Sequence, residues 1–180
     1  MTVSEPIIRS IPGGTLDLRI ERAEIPLDTA LAFAARRNPR RRFLFVSRIL
    51  GRHIPTRPSV LREAAAALAR KLTAPPAPSL SIGMAEPATT LGQAVWREWL
   101  RQGGCESLYL DTTRRPTGDE VAFSFSEDHS HAPLHHVHRP SPADDPRRIF
   151  ERAASLIIVD DEATTGRTAS ALANAWANWR

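Results

Sequence analysis

Two adjacent carboxylates and a threonine- and glycine-containing turn form the most informative segment of the chain. Asp160 and Asp161 follow four apolar residues, and Thr164-Thr165-Gly166 leads to Thr168 soon afterwards. Backbone N–H groups at a helix start, with threonine hydroxyls, can hold a phosphate monoester, and glycine permits close approach. Paired acids can accept hydrogen bonds from vicinal hydroxyls and help to hold Mg²⁺. The segment therefore predicts a sugar-phosphate site, the alternative being acids that only complement a helix dipole.

The elements around this segment predict how it is positioned. Residues 155–159 have the apolar character of a buried strand, and residues 169–179 form an alanine-rich helical pattern. Further strands are predicted at 43–46, 80–84 and 106–110, and further helices at 60–72 and 90–101. Strands that alternate with helices indicate an α/β fold with a mostly parallel central sheet. Ligands bind such sheets at the carboxyl ends of the strands.

Two parts of the chain depart from this alternation. Residues 1–35 contain a short apolar-polar alternation and Pro26, so we expect an N-terminal arm or hood element before an α/β domain at 36–180. Residues 111–148 are rich in arginine, histidine and proline, with one alternating segment at 121–126. This composition predicts a long, partly ordered insertion.

Composition limits the classes of function. The 180 residues are 42% hydrophobic and 24% charged, as in soluble globular domains. A single cysteine, Cys105, favours a cytoplasmic location, and we expect neither a membrane span nor a signal peptide. The net charge of +4 comes almost wholly from arginine and indicates an anionic ligand. Because no nucleic-acid-binding pattern is recognised, nucleic acid is not the expected partner.

The segment from Leu156 to Thr168 resembles the phosphoribosyl-diphosphate motif of the type I phosphoribosyltransferases. The resemblance implies a transferase that binds Mg²⁺-phosphoribosyl diphosphate, passes ribose 5-phosphate to a nitrogen of a small base-like acceptor and releases diphosphate. Asp160 and Asp161 would bind the ribose hydroxyls and hold Mg²⁺ indirectly, through ribose or water. Glu162 is the candidate for proton removal from the acceptor. The residues implied to bind the 5′-phosphate are Ala163, Thr164, Thr165, Gly166, Arg167 and Thr168.

Upstream segments are similar to one branch, the orotate phosphoribosyltransferase-like proteins of tellurite-resistance gene clusters. The similar segments are Asn38-Pro39, 42–55, 83–86, Leu91-Gly92, 111–115 and 127–132. The family's loop after the second core strand binds diphosphate, which makes Ala85 and Glu86 candidates here. Arg114 and Arg115 lie where a mobile hood would close, and lid arginines exclude water and neutralise a departing diphosphate. The alternative for both arginines is a solvated turn.

Two further groups of residues allow more than one interpretation. Ser47 and Arg48, at the end of the first predicted core strand, either contact phosphoribosyl diphosphate or meet solvent at a strand edge. His129 and His131 are candidate hood contacts with the substrate. Together with His135, His136 and His138 they could instead bind a metal ion or lie in an exposed loop.

The end of the chain and the reaction also leave alternatives. Family members have further strands after the phosphate-binding helix, whereas this sequence stops at Arg180. We therefore expect either a fragment of a longer protein or a sheet completed by the N-terminal arm or by a second subunit, as in a homodimer. The alternative to a transferase of nucleotide biosynthesis is a non-catalytic regulatory protein that senses phosphoribosyl diphosphate.

Overall fold

The computed structural model describes residues 7–37, 42–86, 88–127, 133–143 and 145–180. The chain divides into two compact units between Leu61 and Arg62. The predicted domain boundary between residues 35 and 36 remains a prediction. No helix in the described ranges is long and apolar enough to cross a membrane.

The first unit is built from two small antiparallel sheets. Its elements are β1 (Ile7–Ile11), β2 (Gly14–Leu18), α1 (Leu27–Ala30), β3 (Leu31–Ala35) and β4 (Phe43–Ser47). β1 pairs with β2, and β4 pairs with β3, so that Phe33 lies opposite Phe45 with ring centroids 5.7 Å apart. The prediction that β4 is the first strand of the parallel core is therefore wrong. Its apolar run correctly indicates a strand, but such a run does not specify which strand will pair with it.

The second unit contains the parallel sheet and most of the helices. Helix α2 (Pro58–Ala69) leads into it, and then follow β5 (Ser79–Gly83), α3 (Thr89–Arg101), β6 (Ser107–Asp111), β7 (Val121–Ser126), β8 (Leu134–His138), α4 (Asp145–Arg152), β9 (Ser155–Val159) and α5 (Arg167–Trp179). Proline in the first turn and the alanine-rich sequence that follows favour α2 as a helix. The predicted helices near 60–72, 90–101 and 169–179 are confirmed, with each end within three residues of the predicted one.

The parallel sheet has the strand order β6-β5-β9, which confirms a mixed α/β architecture with a parallel sheet. In its register, Ile82 of β5 lies beside Leu110 on one side and Ile158 on the other. All five residues of β5 are buried because the strand has a neighbour on each edge and packing elements on its faces. The carboxyl ends of the three strands therefore lie at one edge of the sheet.

Helix α3 approaches β5 closely because glycines face each other at the contact. A Cβ atom on Gly92 would lie 2.9 Å from the Cα of Gly83 and 2.7 Å from the hydroxyl oxygen of Tyr109. The Tyr109 hydroxyl lies within hydrogen-bonding distance of the Thr89 carbonyl oxygen at 2.7 Å and also contacts the carboxylate of Asp111. Small residues at these positions thus set the distance between helix and sheet.

The described part of 111–148 is packed against the rest of the second unit. β7 and β8 form an antiparallel hairpin, and Phe123, Phe125 and Val137 are buried in the same core as Leu80 and Leu172. Within the described ranges, β7 and β8 therefore contribute side chains to this core. A mobile hood over 111–148 stays a prediction.

Candidate functional site

The acidic pair lies where β9 ends, at the carboxyl edge of the parallel sheet. The Asp161 N–H donates a hydrogen bond of 2.9 Å to Oδ1 of Asp160. On the neighbouring strand, the N–H of Met84 donates to the carbonyl oxygen of Val159 at 3.0 Å, which ties the start of the loop after β5 to the end of β9. The two loops that follow these strands therefore begin side by side.

A depression of about 270 Å³ lies between the end of β9 and the first turn of α5. Its lining is Ile158, Asp160, Glu162, Ala163, Thr164, Thr165, Gly166, Arg167, Thr168 and Ala169. The structure thus brings together Asp160, Glu162 and the whole predicted phosphate turn. Asp161 is partly buried beside this lining and is not part of it.

Gly166 gives the depression its anion-binding character. It is the N-cap of α5 in the left-handed region, with φ of 73°, and its carbonyl oxygen accepts the N–H of Ser170 at 2.9 Å. No side chain caps the helix there, and the Arg167 N–H reaches Oγ1 of Thr165 only at 3.4 Å. The first-turn amides and the positive end of the helix dipole therefore favour a bound phosphate.

The environment of Asp160 favours a ligand that brings a cation or a hydroxyl group to this carboxylate. Burial raises the pKa of Asp160 to about 6, and the negative charges of Asp161 and Glu127 add to the effect. A buried carboxylate under such repulsion is stabilised by a nearby cation. Carboxylate oxygens are also the ligands that Mg²⁺ prefers, usually one or two of them together with substrate oxygens. The donor set at Asp160 and Asp161 therefore fits Mg²⁺ that is carried mainly by a ligand.

A chain of polar groups runs from the loop after β5 to the arginine segment after β6. The Ala85 N–H donates to Oγ1 of Thr112 at 2.8 Å, and this hydroxyl lies 3.0 Å from Nδ1 of His135. Nε2 of His135 lies 3.1 Å from Oε2 of Glu127. Arg114 donates to the same Glu127 oxygen at 2.9 Å. We call these five residues the relay.

The middle of the relay is buried, and its ionisation follows from that burial. His135 and Thr112 are 0% and 2% exposed, and the ring of His135 stacks on Phe125 with centroids 4.8 Å apart. Burial lowers the pKa of His135 below its ordinary value, although Glu127 acts in the opposite direction. For Glu127, burial is the largest influence and raises the pKa, but hydrogen bonds from His135 and Arg114 outweigh it and leave the pKa lowered. The relay is thus a neutral imidazole beside a carboxylate and a guanidinium.

The residues that are candidates for binding diphosphate differ in their exposure and in the hydrogen bonds that they already make. The Ala85 amide is already bonded to Thr112, so its N–H is not available for a ligand in this arrangement, whereas Glu86 is exposed. Arg114 is partly buried and paired with Glu127, and Arg115 is exposed. A direct contact with diphosphate therefore remains a prediction for Glu86, Arg114 and Arg115.

Ser47 and Arg48 make local contacts in the first unit. Oγ of Ser47 accepts the N–H groups of Ile49 and Leu50, each at 3.1 Å, which stabilises the turn after β4. The Arg48 guanidinium reaches the carbonyl oxygen of Leu31 at 3.3 Å. Their predicted role in binding phosphoribosyl diphosphate stays a prediction.

The histidine-rich segment divides into positions with different surroundings. His129 and His131 lie outside the described residues. His135 belongs to the relay, His136 lies 2.8 Å from Oγ of Ser124, and His138 lies 3.0 Å from Oγ1 of Thr113. Within the part of the chain that the structure describes, no group of three or more metal-ligating side chains occurs.

Thr112 and Glu127 were not predicted as site residues, and His135 was considered only as a metal ligand or as part of an exposed loop. A signal for His135 was present, since Leu134 to His138 is a strand in which His135 and Val137 share the inward face. A histidine on the same face as a core valine is expected to be buried, and a buried imidazole requires hydrogen-bond partners.

A family model described as phosphoribosyl transferase matches residues 30–179, which include the depression and the whole relay. No curated protein matches the chain.

Proposed function

Because the chain belongs to the phosphoribosyl transferase family, we propose that it binds Mg²⁺-phosphoribosyl diphosphate and transfers ribose 5-phosphate to a nitrogen nucleophile with release of diphosphate. The observation that carries the proposal is the depression at the end of β9, where an acidic side chain and the open first turn of α5 face one space. These groups suit the two ends of a ribose phosphate, its hydroxyls and its 5′-phosphate.

The substrate's phosphate end would be held by the backbone of residues 163–168. Gly166 leaves the first-turn amides of α5 uncovered, and the hydroxyls of Thr164, Thr165 and Thr168 lie on residues that line the same depression. A dianionic phosphate gains from the helix dipole as well as from these hydrogen bonds. This anchoring fixes the position of the sugar ring relative to the strand ends.

The ribose end would be fixed by the acidic pair. Asp160 and Asp161 would accept hydrogen bonds from the two ribose hydroxyls, and the same carboxylates would hold Mg²⁺ through ribose or water. Bound Mg²⁺ neutralises charge on the departing diphosphate. Ribose hydroxyls and a cation held there would also offset the burial, and the smaller repulsion by Asp161 and Glu127, that raise the pKa of Asp160.

The remaining steps concern the incoming nitrogen nucleophile and the departing diphosphate. The nitrogen forms a bond to the anomeric carbon as the bond to diphosphate oxygen breaks, and the bonding pair leaves with diphosphate. The proposed proton acceptor is Glu162, an exposed carboxylate that lines the depression. The guanidinium groups of Arg114 and Arg115 would stabilise the charge that develops on diphosphate. The acceptor is a small base-like molecule, with orotate among the candidates.

Calorimetric titration tests ligand binding directly. Phosphoribosyl diphosphate is titrated into the protein with Mg²⁺ and with EDTA, and the titration is repeated on Asp160→Asn plus Asp161→Asn. We expect Mg²⁺-dependent binding that the double variant weakens by about tenfold or more, which corresponds to ~1.4 kcal/mol or more. Asp145→Asn, whose side chain is 88% exposed at the start of α4, removes one negative charge outside the site and should bind like the parent. Equal binding by all three proteins would contradict the proposed site.

Turnover separates a transferase from the alternative, a regulatory protein that senses the same ligand. Diphosphate release is followed with a panel of purine and pyrimidine bases, orotate included, in the presence of Mg²⁺. Base-dependent release supports the enzyme. Binding without release for any base would favour the sensor and overturn the transfer step alone.

A further inference from the structure

The relay joins two loops that follow different strands of the parallel sheet. At one end it begins at the backbone of Ala85, directly after β5, and at the other it ends at the guanidinium of Arg114, after β6. His135, between them, lies on the second strand of the hairpin formed by β7 and β8. One imidazole is thus linked, through one residue on each side, to both segments assigned above to diphosphate.

The direction of each hydrogen bond follows from the donors available. Oγ1 of Thr112 already accepts the Ala85 N–H, so its own proton can be donated to Nδ1 of His135. Nε2 then carries the imidazole proton and donates it to the Glu127 carboxylate. Arg114 supplies the opposite charge to that carboxylate. Every donor in this order meets an acceptor, and the order requires a neutral His135.

Such a chain is costly to bury unless all of its members are satisfied. A valine at 112 and an apolar residue at 135 would fill the space, but the buried Ala85 N–H and the Glu127 carboxylate would each lose a hydrogen-bond partner. The relay instead fixes one backbone position, at Ala85, and one side-chain position, at Arg114, and both lie at the ligand-binding edge of the sheet. Its geometry therefore points to a role at that edge.

We propose that His135 is a positioning residue for the diphosphate group of the substrate. Through Thr112 it fixes the course of the loop at Ala85 and Glu86, and through Glu127 it fixes the guanidinium of Arg114. This inference rests on the proposed function, since it concerns the diphosphate group of the proposed substrate. The ribose 5-phosphate part would not depend on His135.

The charged groups around His135 determine what acid would do to the relay. Glu127 favours the protonated imidazole, whereas Arg114 and His136 disfavour it, and burial disfavours it most. Protonation at Nδ1 would turn this nitrogen into a donor, so that the Thr112 oxygen would have to accept from both His135 and Ala85 while its own proton lost its acceptor. This would weaken the support of the Ala85 loop. Diphosphate affinity should therefore fall on acidification in a step that requires His135.

Three probes separate the parts of the substrate. Mg²⁺-diphosphate, ribose 5-phosphate and Mg²⁺-phosphoribosyl diphosphate are each titrated calorimetrically into the parent protein and its variants. His135→Asn keeps a polar group near the Nδ1 position but loses the bond to Glu127, and His135→Gln does the reverse. His136→Gln on the same strand, where the side chain contacts Ser124, is the matched control.

We expect both His135 variants to bind diphosphate and phosphoribosyl diphosphate about tenfold more weakly, because each loses one hydrogen bond of the buried relay. Ribose 5-phosphate should bind within about twofold of the parent value, and His136→Gln should leave the affinity for all three probes unchanged at neutral pH. The acid-dependent step in diphosphate affinity should be absent from both His135 variants. Circular dichroism verifies that each variant is folded.

Two further variants keep the inference testable if His135 variants do not fold. Glu127→Gln retains shape at a partly exposed position, and Thr112→Val retains volume at a buried one. Each should reproduce the selective loss of diphosphate binding. Unchanged diphosphate affinity, or an equal loss for ribose 5-phosphate, overturns the positioning role while the proposed function stands. If the parent binds none of the three probes, the proposed function and this inference both fail.

Discussion

Asp160 combines two properties that rarely coexist in a purely structural residue. It is partly buried at the end of a core strand, and it lines an open depression. Burial raises its pKa to about 6 from the ordinary value of 3.8, so the folded protein holds this carboxylate at a cost when it is ionised. Residues under such strain are typical of binding sites, where the ligand supplies the missing interaction.

Replacing Asp160 by asparagine should stabilise the protein at neutral pH. The pKa of Asp160 is higher in the folded than in the unfolded protein. The contribution of Asp160 to the free energy of unfolding is therefore fully present below about pH 4 and is lost as the pH rises through about 6. Asparagine avoids that loss and can still accept the Asp161 N–H at Oδ1. We expect a gain on the order of 1 kcal/mol at pH 8, or about 2–4 °C in melting temperature, and a much smaller gain at pH 4.5.

Thermal unfolding of the parent, Asp160→Asn and Asp145→Asn at these two pH values provides the measurement. The exposed Asp145 should give no pH-dependent difference. A gain of equal size at both pH values would show that ionisation of Asp160 is not its source.

Single residues of the site differ in how far the sequence predicts them. Asp160 and Gly166 are recognisable because they are adjacent in sequence to the strand and helix that position them. The partners of His135 are Thr112 and Glu127, which are 23 and 8 residues away, and only the fold brings them together. A local pattern can show that His135 faces inward, but it cannot supply those partners.

At the level of elements, the hydrophobic periodicity of the sequence predicts where a strand or helix occurs better than it predicts which strands pair. β5 and β9 are correctly predicted as apolar strands of a parallel sheet, whereas β4 has the same apolar character and pairs antiparallel with β3. Helix α4 was not predicted because its sequence, DPRRIFER, carries charges on most positions and one buried aromatic residue. Its helical form depends on packing of Phe150, which no neighbouring residue in sequence indicates.

The first turn of α5 depends on a backbone conformation that favours glycine. Gly166 has φ of 73°, and a Cβ there would meet no atom within 4 Å, so Gly166→Ala introduces backbone strain without a clash. We expect a loss of about 1 kcal/mol in stability together with weaker binding of phosphoribosyl diphosphate, because the relaxed turn no longer presents the same amides. Gly103→Ala is the matched control, since φ is 89° and the space is equally open in the turn after α3.

Urea unfolding and calorimetric titration of both glycine variants decide the point. The two should lose similar stability, but only Gly166→Ala should lose affinity. Retained affinity in Gly166→Ala would indicate that the amides of this turn do not bind the phosphate.

The contact between α3 and β5 makes a separate prediction. A Cβ on Gly92 would lie 2.9 Å from the backbone of Gly83, and backbone cannot move aside as a flexible side chain can. Gly92→Ala should therefore separate the helix from the sheet and cost about 1–3 kcal/mol, measured as a lower urea midpoint. A midpoint equal to that of the parent would show that α3 shifts without loss of packing.

For the second unit as a whole, one core connects the sheet, the hairpin and the last two helices. Phe150 of α4 is 1% exposed, and its ring centroid lies 4.9 Å from that of Trp179 in α5, which also neighbours Phe123 of β7. Elements from both sides of the 111–148 segment therefore share their apolar contacts. This arrangement predicts that they unfold together.

Phe150→Ala tests that cooperativity. Removing a fully buried phenylalanine should cost about 3–5 kcal/mol. Urea unfolding followed by far-ultraviolet circular dichroism and by tryptophan fluorescence should give midpoints that move together. Val121→Ala, at a position 41% exposed on β7, should change stability by less than about 0.5 kcal/mol. A fluorescence midpoint that Phe150→Ala leaves unchanged would contradict the shared core, since the tryptophans lie on α3 and α5 of this unit.

The bond between Ala85 and Thr112 also has a consequence for the timescale on which the loop opens. Ala85 lies two residues beyond Gly83, the last residue of β5, yet its N–H is bonded to a buried hydroxyl at 2.8 Å. Deuterium can replace such a proton only when the surrounding structure opens. The amide proton of Ala85 should therefore exchange as slowly as those inside β5. The rate of that exchange reports how often the edge of the sheet opens transiently.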